Sequence, residues 1–262
     1  MSPTISIDDR GFTLGDGVFD TALALGGEVF ARARHVARLV AAAQRIGIAI
    51  EAAAIEAALD AALTPAPTIL RTTLTRGTAA RGLWPASAGA PTLVVSATPW
   101  SPALLGQPAR LVTANGRRNE FSPTANLKTL GYLDHILAAR EAALAGVDDA
   151  LILNTQGRIA CTTIANLFAL IGGRLITPSL KEGCLPGIMR ALVIEAAPAL
   201  GLSVEERPLA PQALAGADAV FLTNSVRFVR PVRSLDGALL GDGAALVNML
   251  QDNLLRHAKL DR

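Results

Sequence analysis

The amino-acid sequence predicts an α+β protein made of two α/β domains, and three observations support this expectation. The chain has 262 residues, which suits one large or two modest domains at about 150 residues each. Short strand-like runs occur in clusters, with helices grouped between the clusters, as in α+β folds. Residues 101–109, SPALLGQPA, are rich in proline and glycine and are typical of a linker. We therefore expect a smaller N-terminal domain at 1–105 and a larger C-terminal domain at 106–262.

The N-terminal half predicts short strands, then two helices, then two further strands. Apolar residues at positions 36, 39, 40, 43 and 46 have helical spacing, and Gly47 ends that helix. In chain order, the expected strands are SIDDRG, LGDGVFDTALAL and EVF, the helices HVARLVAAAQRIGI and EAAAIEAALDAAL, and the last strands TILRTTLTRG and PTLVVSATPW.

The C-terminal half predicts an antiparallel sheet with helices beside it. A strand, RLVTA, precedes the irregular stretch NGRRNEFSPTANLK. A helix from about 129 to 145 carries one apolar face and ends at Gly146; the face consists of Leu130, Leu133, Ile136 and Leu137. The later elements are the strands DALILN, IACTT, NLFAL and LIT, a helix at 187–200 and the strand AVFLTN.

Composition indicates a soluble intracellular globular protein. The chain is 51% hydrophobic, and no run of 18 apolar residues is present that would span a membrane. The N-terminus, MSPTISIDDR, does not have the order of a signal peptide. Two cysteines, Cys161 and Cys184, fit a reducing cytoplasm. With 24 basic against 22 acidic residues and only 4% aromatics, nucleic-acid binding is not expected.

Lysine is rare in this chain, with three residues against 21 arginines. Lys181 and Lys259 lie in polar segments and are most simply solvated. Lys128 enters an apolar stretch, and the only tyrosine, Tyr132, follows four residues later. A lysine in apolar surroundings has a lowered pKa, which suits covalent catalysis through its amine. The alternative is a lysine at a helix start whose ammonium reaches water, and spacing alone leaves both interpretations open.

A second candidate is the helix start in LPGIMR, residues 185–190, because free N–H groups at a helix N-terminus bind phosphate. Ser225, in the Thr223-Asn224-Ser225 strand end, offers a hydroxyl, and Arg38 offers a cation. Each of these also has an ordinary structural explanation. His35, His135 and His257 have no metal-ligand or triad spacing, so we expect them to be structural and expect no metal site.

Seven segments, in order over about residues 8 to 237, resemble the class IV aminotransferases, the fold-type IV pyridoxal-phosphate enzymes. They are DRGFTLGDGVFDT, HVARL, TRGTAARG, RRNEFSPTANLKTLGYLDHILAAREA, DDALILNTQGRIACTTIANLF, LPGIMR and TNSVRFVRPV. The resemblance implies a D-amino-acid transaminase-like architecture, in which two α/β domains hold pyridoxal 5'-phosphate in the cleft between them. It also implies a homodimer; the cytoplasmic location and the lack of a nucleic-acid or membrane partner are expected from the composition.

The resemblance also implies roles for individual residues. Lys128 would bind the cofactor covalently and move the substrate's Cα proton, with Tyr132 near the cofactor's phenolic oxygen. The phosphate would be held by the residues Arg38, Ile188, Met189 and Ser225. Gly157–Phe168 matches the segment that passes the pyridine ring and ends in Asn166-Leu167-Phe168.

One position departs from the family pattern. Cys161 stands where the family has a glutamate that keeps a proton on the pyridine nitrogen. A carboxylate there favours the pyridinium and makes the ring a strong electron acceptor, whereas a thiol is a weak hydrogen-bonding group. Three hypotheses follow: a reaction such as elimination that needs less electron withdrawal, a slow transaminase, or a protein that binds cofactor with little turnover.

Within the family, the closer resemblance is to aminodeoxychorismate lyase, which serves folate biosynthesis by eliminating pyruvate to give 4-aminobenzoate. The TRGxxxRG segment, GIMR and the short length favour it. The alternatives are a D-amino-acid or branched-chain transaminase and, outside enzymes, a degenerate cofactor-binding protein. Arg76, Arg81 and Arg227 are the candidates for substrate carboxylates, because arginine binds them with two parallel hydrogen bonds; surface charge is the competing interpretation.

Overall fold

The structure, a computed structural model, describes residues 4–85 and 89–258, so Lys259 lies outside the described residues. The chain forms two compact units. One comprises Met1–Ser101 with Leu127–Tyr132, and the other comprises Pro102–Asn126 with Leu133–Arg262. The first division falls within the predicted linker, four residues before the expected boundary at residue 105. Residues Leu127–Tyr132 belong to the first unit. The predicted α+β class is confirmed, since each unit combines a sheet with helices.

The first unit has a four-stranded antiparallel sheet in the order β2-β1-β3-β4. Its elements are α1 (Arg10–Leu14), β1 (Gly17–Leu25), β2 (Glu28–Val29), α2 (Arg32–Arg45), α3 (Ala52–Ala62), β3 (Thr68–Thr75) and β4 (Thr92–Pro99). Helices α2 and α3 pack on this sheet. Their apolar faces enclose a core that includes Val36, Leu39, Ile55, Leu70 and Leu74.

The predicted strand SIDDRG is wrong, because Arg10–Leu14 forms a short helix. The side chain of Asp9 accepts a hydrogen bond from the Gly11 amide at 2.7 Å and begins the helix. Asp9 is also held by Thr75 and Thr92, whose hydroxyls donate to its second oxygen. Helix capping by Asp9 thus replaces the strand that the alternation of residues suggested.

The second unit has a nine-stranded mixed sheet in the order β10-β9-β8-β11-β12-β5-β6-β7, with β13 on β12. Its strands are β5 (Ala109–Arg118), β6 (Asp149–Asn154), β7 (Ile159–Thr162), β8 (Asn166–Ile171), β9 (Arg174–Thr177), β10 (Ser203–Glu206), β11 (Ala219–Asn224), β12 (Phe228–Leu235) and β13 (Ala238–Leu239); its helices are α4 (Leu133–Leu144), α5 (Ile188–Ala196) and α6 (Ala244–His257). The expected antiparallel pairing is found within the hairpins β6–β7 and β8–β9. The pairs β12–β5, β5–β6 and β9–β10 are parallel, so the sheet as a whole is mixed.

The predicted helix at 129–145 starts four residues too early. Helix α4 begins at Leu133, and the preceding segment is extended along β1. The Phe19 amide donates to the Lys128 carbonyl at 2.8 Å, and the Leu130 amide donates to the Gly17 carbonyl at 3.1 Å. These backbone bonds add Leu127–Tyr132 to the first unit, so Lys128 lies on an extended segment and not in a helix.

The apolar face predicted for this helix is exposed. Leu133, Ile136 and Leu137 are 65%, 58% and 48% exposed, and Leu144 at the end of α4 is 75% exposed. Ala138 and Ala142 instead pack toward β5 and β6. Strand β5 also continues through NGRR, which was expected to be irregular, with a register irregularity between Thr113 and Arg117. Within residues 4–85 and 89–258, none of the helices has the length and apolar character needed to cross a membrane.

Candidate active site

The side-chain amine of Lys128 lies among aromatic rings of the first unit. Its Nζ is 4.3 Å from the centre of the Phe19 ring and 5.2 Å from that of Tyr132. It donates to the Tyr132 hydroxyl at 3.3 Å. The two rings meet edge to face, with centres 5.2 Å apart and planes at 74°. Phe19 is on β1 and Tyr132 is on the extended segment, so the backbone pairing described above places all three side chains together.

This environment lowers the pKa of Lys128 from 10.5 to about 8. Burial is the largest cause, because an ammonium loses hydration in apolar surroundings. The positive charges of Arg38 and Arg71 lower the pKa further, while the negative charge of Asp20 opposes them. At pH 7 roughly one amine in ten is therefore unprotonated, against about one in three thousand for an ordinary lysine. The site holds a nucleophilic amine near neutral pH.

A buried carboxylate, Asp20, connects β1 to α2 beside this site. Its Oδ1 is 2.5 Å from His35 Nδ1, and its Oδ2 accepts from Arg38 Nε and Nη2 at 2.8 and 2.7 Å. Burial alone would raise the pKa of Asp20, but the charges and hydrogen bonds of Arg38 and His35 outweigh it and hold that pKa below its usual value. Asp20 is therefore an ionised, fully buried partner of Arg38.

Arg71 of β3 also belongs to this group. Its guanidinium carbon lies 3.6 Å from the centre of the Phe19 ring. The register explains the contact: Phe19 is opposite Thr73, and Arg71 is the diagonal neighbour two residues along β3 on the same face of the sheet. Because the Arg71 guanidinium carbon and Lys128 Nζ lie 3.6 Å and 4.3 Å from the same ring centre, they are at most about 8 Å apart. Arg71 is exposed, and partial loss of hydration around its guanidinium lowers its pKa while leaving it a cation.

Arg76 and Arg81 have different surroundings. Arg76 is buried and uses four donor contacts within the first unit, at 2.6 to 3.1 Å, to both Asp16 oxygens and to the carbonyls of Ile46 and Gly47. Its ring neighbour is Trp84, at 5.1 Å. Arg81 is exposed. The structure thus gives Arg76 a role in joining β3 to the end of α2.

The helix start predicted to bind phosphate lies in the second unit. Gly187 precedes α5, with no side-chain cap, and the first turn exposes the amides of Ile188 and Met189 as donors. A Cβ on Gly187 would come 2.0 Å from Asn166 Oδ1, so only glycine allows this approach. Asn166 donates to the Leu185 carbonyl at 2.9 Å and pairs across the sheet with Thr223.

Asn166 connects the end of β11 to this helix start, because it pairs with Thr223 and its side chain donates to the Leu185 carbonyl. The Thr223 hydroxyl is buried, and no hydrogen-bond partner for it occurs among residues 4–85 and 89–258. Ser225 follows two residues later, in the turn after β11. Amides at a helix start and hydroxyls at a neighbouring strand end together fit a phosphate group. The second unit therefore contains groups suited to the phosphate of the expected cofactor.

Cys161 lies on β7, buried among alanine side chains of α4, β5 and β6 and near Cys184. Burial raises the pKa of its thiol to about 12; Arg118 opposes this rise, and Cys184 and Asp149 add to it. The thiol is therefore neutral at physiological pH. Both cysteines are free.

Arg227, the last predicted substrate residue, is in the turn after β11 and donates to the Leu104 carbonyl at 3.4 Å. It lines a small depression together with Asp149, Asn224 and Arg230. This depression belongs to the second unit and has no aromatic wall.

Among the predicted residues, the structure brings Lys128, Tyr132 and Arg38 into one electrostatic group and places Ile188, Met189, Ser225 and Cys161 in the second unit. Sequence reasoning missed Phe19, Asp20 and Arg71 and treated His35 as structural only. The signal for Asp20 was a lone acid in the strand GVFDTALAL. No comparable signal marked Arg71, which depends on strand register.

Comparison with known proteins agrees with these groups. Residues 17–235 match the model of the amino-transferase class IV family. A Methanocaldococcus jannaschii protein, provisionally named a branched-chain-amino-acid aminotransferase, is 33% identical over 247 residues, covering 91% of this chain and 85% of that protein.

Two solved structures show the same fold. The 4-amino-4-deoxychorismate lyase from Pseudomonas aeruginosa has a TM-score of 0.87 and 31% identity, covering 98% of this chain and 96% of that one. A fold IV transaminase from Curtobacterium pusillum has a TM-score of 0.86 and 29% identity, covering 97% and 91%. The chain therefore belongs to the class IV aminotransferase family, whose members are enzymes that depend on pyridoxal phosphate.

Proposed function

We propose that this enzyme is a lyase of the aminodeoxychorismate type, in which Lys128 binds pyridoxal 5'-phosphate and moves a proton at the substrate's Cα. The observation that carries the proposal is the amine of Lys128, which is half-buried against Phe19 and Tyr132 and has a pKa of about 8. A proton-transfer group works best when its pKa is close to the working pH.

When bound, pyridoxal phosphate supplies an aldehyde for amines and a ring that withdraws electrons from the substrate's Cα. Lys128 would supply the amine that attaches to the cofactor and a base for the substrate's Cα proton. The Tyr132 hydroxyl, which accepts from Lys128 Nζ at 3.3 Å, orients that amine. On this proposal Arg38, the amides of Ile188 and Met189, and the Ser225 hydroxyl bind the phosphate.

For the substrate carboxylate we favour Arg71. Its guanidinium is within about 8 Å of the Lys128 amine, a separation that an α-amino carboxylate spans together with its hydrogen bonds. Arg76 has four donor contacts already directed to Asp16 and two carbonyls, which leaves it little capacity for a substrate. Arg81 and Arg227 stay as further proposed contacts for a second carboxylate.

The neutral thiol of Cys161 supports a lyase over a transaminase. A thiol whose pKa is about 12 does not provide the negative charge that would hold a proton on the ring nitrogen. Electron withdrawal by the ring is then weaker. Elimination of pyruvate from aminodeoxychorismate forms an aromatic product, and aromatisation supplies driving force that compensates for the weaker withdrawal. The 31% identity to the Pseudomonas aeruginosa lyase supports the same choice.

Two measurements test the proposal. Borohydride reduction of the protein with pyridoxal phosphate, followed by peptide mapping, should place the cofactor on Lys128, and the K128A variant should remain unlabelled. Incubation with aminodeoxychorismate should then yield pyruvate and 4-aminobenzoate in equal amounts. A cofactor attached at another lysine, or none attached to folded protein, would contradict the role of Lys128.

The second candidate is a branched-chain or D-amino-acid transaminase, favoured by the 33% identity to the Methanocaldococcus jannaschii protein. It predicts amino-group transfer to a 2-oxo acid and no 4-aminobenzoate. The remaining alternative is a protein that binds cofactor without turnover because of Cys161. That alternative predicts a labelled Lys128, no product in either assay, and activity appearing only in C161E.

We further propose a homodimer that uses the exposed apolar face of α4. The side chains of Leu133, Ile136, Leu137 and Leu144 are each between 48% and 75% exposed. Apolar side chains grouped in this way are typical of protein–protein contacts. Sedimentation should give a dimer for the wild type and a monomer for L137E. A cytoplasmic location is proposed from the two free buried cysteines, which suit a reducing compartment.

A further inference from the structure

Asp20 is a buried carboxylate that is held by two side chains of one helix. Its side chain is 5% exposed, and each of its oxygens has its own partner on α2. His35 and Arg38 are three residues apart, so they project from the same face of α2. Arg38 bonds side-on, with Nε and Nη2 both directed to Oδ2. This geometry fixes the plane of the guanidinium and not only its charge.

We propose that Asp20, oriented by His35, is a positioning residue that fixes the Arg38 guanidinium beside the Lys128 site. This inference rests on the proposed function, in which the Lys128 amine reacts. Asp20 follows Phe19 on β1, and Phe19 contacts Lys128 through both its ring and its backbone amide. Two adjacent residues of β1 therefore act on the site: Phe19 contacts the Lys128 amine, and Asp20 orients the Arg38 guanidinium.

Charge balance supports this role. Arg38 and Arg71 both act on Lys128 as positive charges, and Asp20 is the negative charge that opposes them. Without Asp20, the positive charges of Arg38, Arg71 and Lys128 would lose the negative charge that opposes them, and Arg38 would lose the hydrogen bonds that fix its orientation. The groups facing Lys128 in the first unit are thus two aromatic rings, Arg38, Arg71 and Asp20.

His35 has a polar contact that points to the same role. Because Asp20 is ionised, the 2.5 Å contact requires the proton on His35 Nδ1, which donates to Asp20 Oδ1. Its other nitrogen, Nε2, is buried with no hydrogen-bond partner among the residues that the structure describes. The polar function of this ring is therefore to hold Asp20, which in turn holds Arg38.

The test measures the reactivity of Lys128 in cofactor-free protein. Trace acetic anhydride is applied from about pH 6 to about pH 10, and acetylation of the Lys128 peptide is quantified against exposed Lys181. The wild-type midpoint is expected near pH 8. D20N should lower it by about one pH unit, the lower end of the effect of a nearby opposite charge. R71Q should raise it, which serves as the control of opposite sign.

Positioning is separated from simple charge by a double-mutant cycle. If Asp20 acts through Arg38, the midpoint shifts of D20N and R38Q will not add in the double variant. H35N, whose amide can donate from the place of Nδ1, should keep the wild-type midpoint, whereas H35L should shift it in the direction of D20N. Additive shifts, or an unchanged midpoint in folded D20N, would overturn the inference.

One further measurement does not depend on the variants folding. Nitrogen NMR of the wild-type protein should show His35 with the proton on Nδ1 in a strong hydrogen bond; an unprotonated Nδ1 would contradict the arrangement. Acetylation needs no cofactor, so it remains informative if borohydride mapping fails to place pyridoxal phosphate on Lys128. The failure of the proposed function and the failure of this inference are therefore distinguishable.

Discussion

Replacing Lys128 by methionine is expected to stabilise the cofactor-free protein by about 3 kcal/mol at pH 7. Folding lowers the pKa of Lys128 from 10.5 to about 8, and each pKa unit corresponds to about 1.4 kcal/mol. The unfolded chain holds the proton more tightly than the folded protein, so the lysine opposes folding wherever the unfolded form is charged. Methionine has a similar length, no charge and good packing against aromatic rings.

The sign of this effect has a defined dependence on pH. Below pH 8 both states are protonated and the full penalty of burying the ammonium applies to the wild type. Between about pH 8 and pH 10.5 the folded protein loses the proton first, so wild-type stability rises with pH. The advantage of K128M should therefore shrink over this window and vanish above it.

Urea unfolding of both proteins at pH 7 and near pH 10.5 measures the difference directly. K181M is the matched control, because Lys181 is exposed and its removal should change the free energy of unfolding by less than about 0.5 kcal/mol. If K128M were no more stable than the wild type at pH 7, the amine would not be held in a desolvated environment, and the argument for its reactivity would fail.

Three further predictions concern other parts of the chain. C161E should be less stable than C161Q by up to about 4 kcal/mol at pH 8, because the burial that raises the thiol pKa from 9.0 to about 12 opposes a carboxylate equally. Burial would raise the pKa of the new carboxyl in the folded protein, so the difference in unfolding free energy, measured with urea, should disappear toward pH 4. R76M should cost about 1–3 kcal/mol of unfolding free energy, because it removes charged hydrogen bonds to Asp16 while Arg10 still pairs with that carboxylate. Its kcat/KM, relative to the folded fraction, should fall less than that of R71M. G187A should lower the free energy of unfolding by about 1–3 kcal/mol, since its Cβ would meet Asn166 Oδ1 at 2.0 Å. The control G216A should not, because a Cβ has open space there, and thermal unfolding of the two variants measures the difference.

The sequence was sufficient to predict the α+β class and the strands DALILN and AVFLTN, because long buried runs are strong local signals. It misplaced the start of α4 because Leu130 continues the helical spacing of Leu133 and Ile136. In the structure Leu130 lies on the extended segment that runs along β1, and the hydrogen bonds of that pairing come from Gly17 and Phe19, more than 100 positions away. Periodicity within a window does not detect such partners.

Among the candidate site residues, the sequence could single out those marked by their order along the chain, but not those that depend on strand register. Lys128 and Tyr132 are four residues apart, and Gly187 precedes its helix directly. Arg71 reaches the Phe19 ring only because β1 and β3 pair with Thr21 opposite Arg71. His35 resembled a structural histidine because its partner, Asp20, lies on another element.

The contacts that make Lys128 reactive are also contacts that reduce the stability of the first unit. The Phe19 and Tyr132 rings exclude water from the amine, and Arg38 adds a positive charge to a site that already holds one. Asp20 limits this cost, since an ionised carboxylate beside Arg38 offsets the second charge without giving Lys128 a direct salt bridge. A direct bridge would stabilise the ammonium and return the pKa toward that of ordinary lysine. On the proposed function, the arrangement keeps a cation available for the cofactor phosphate while leaving the amine partly neutral, and both properties depend on Asp20 pairing with Arg38 and not with Lys128.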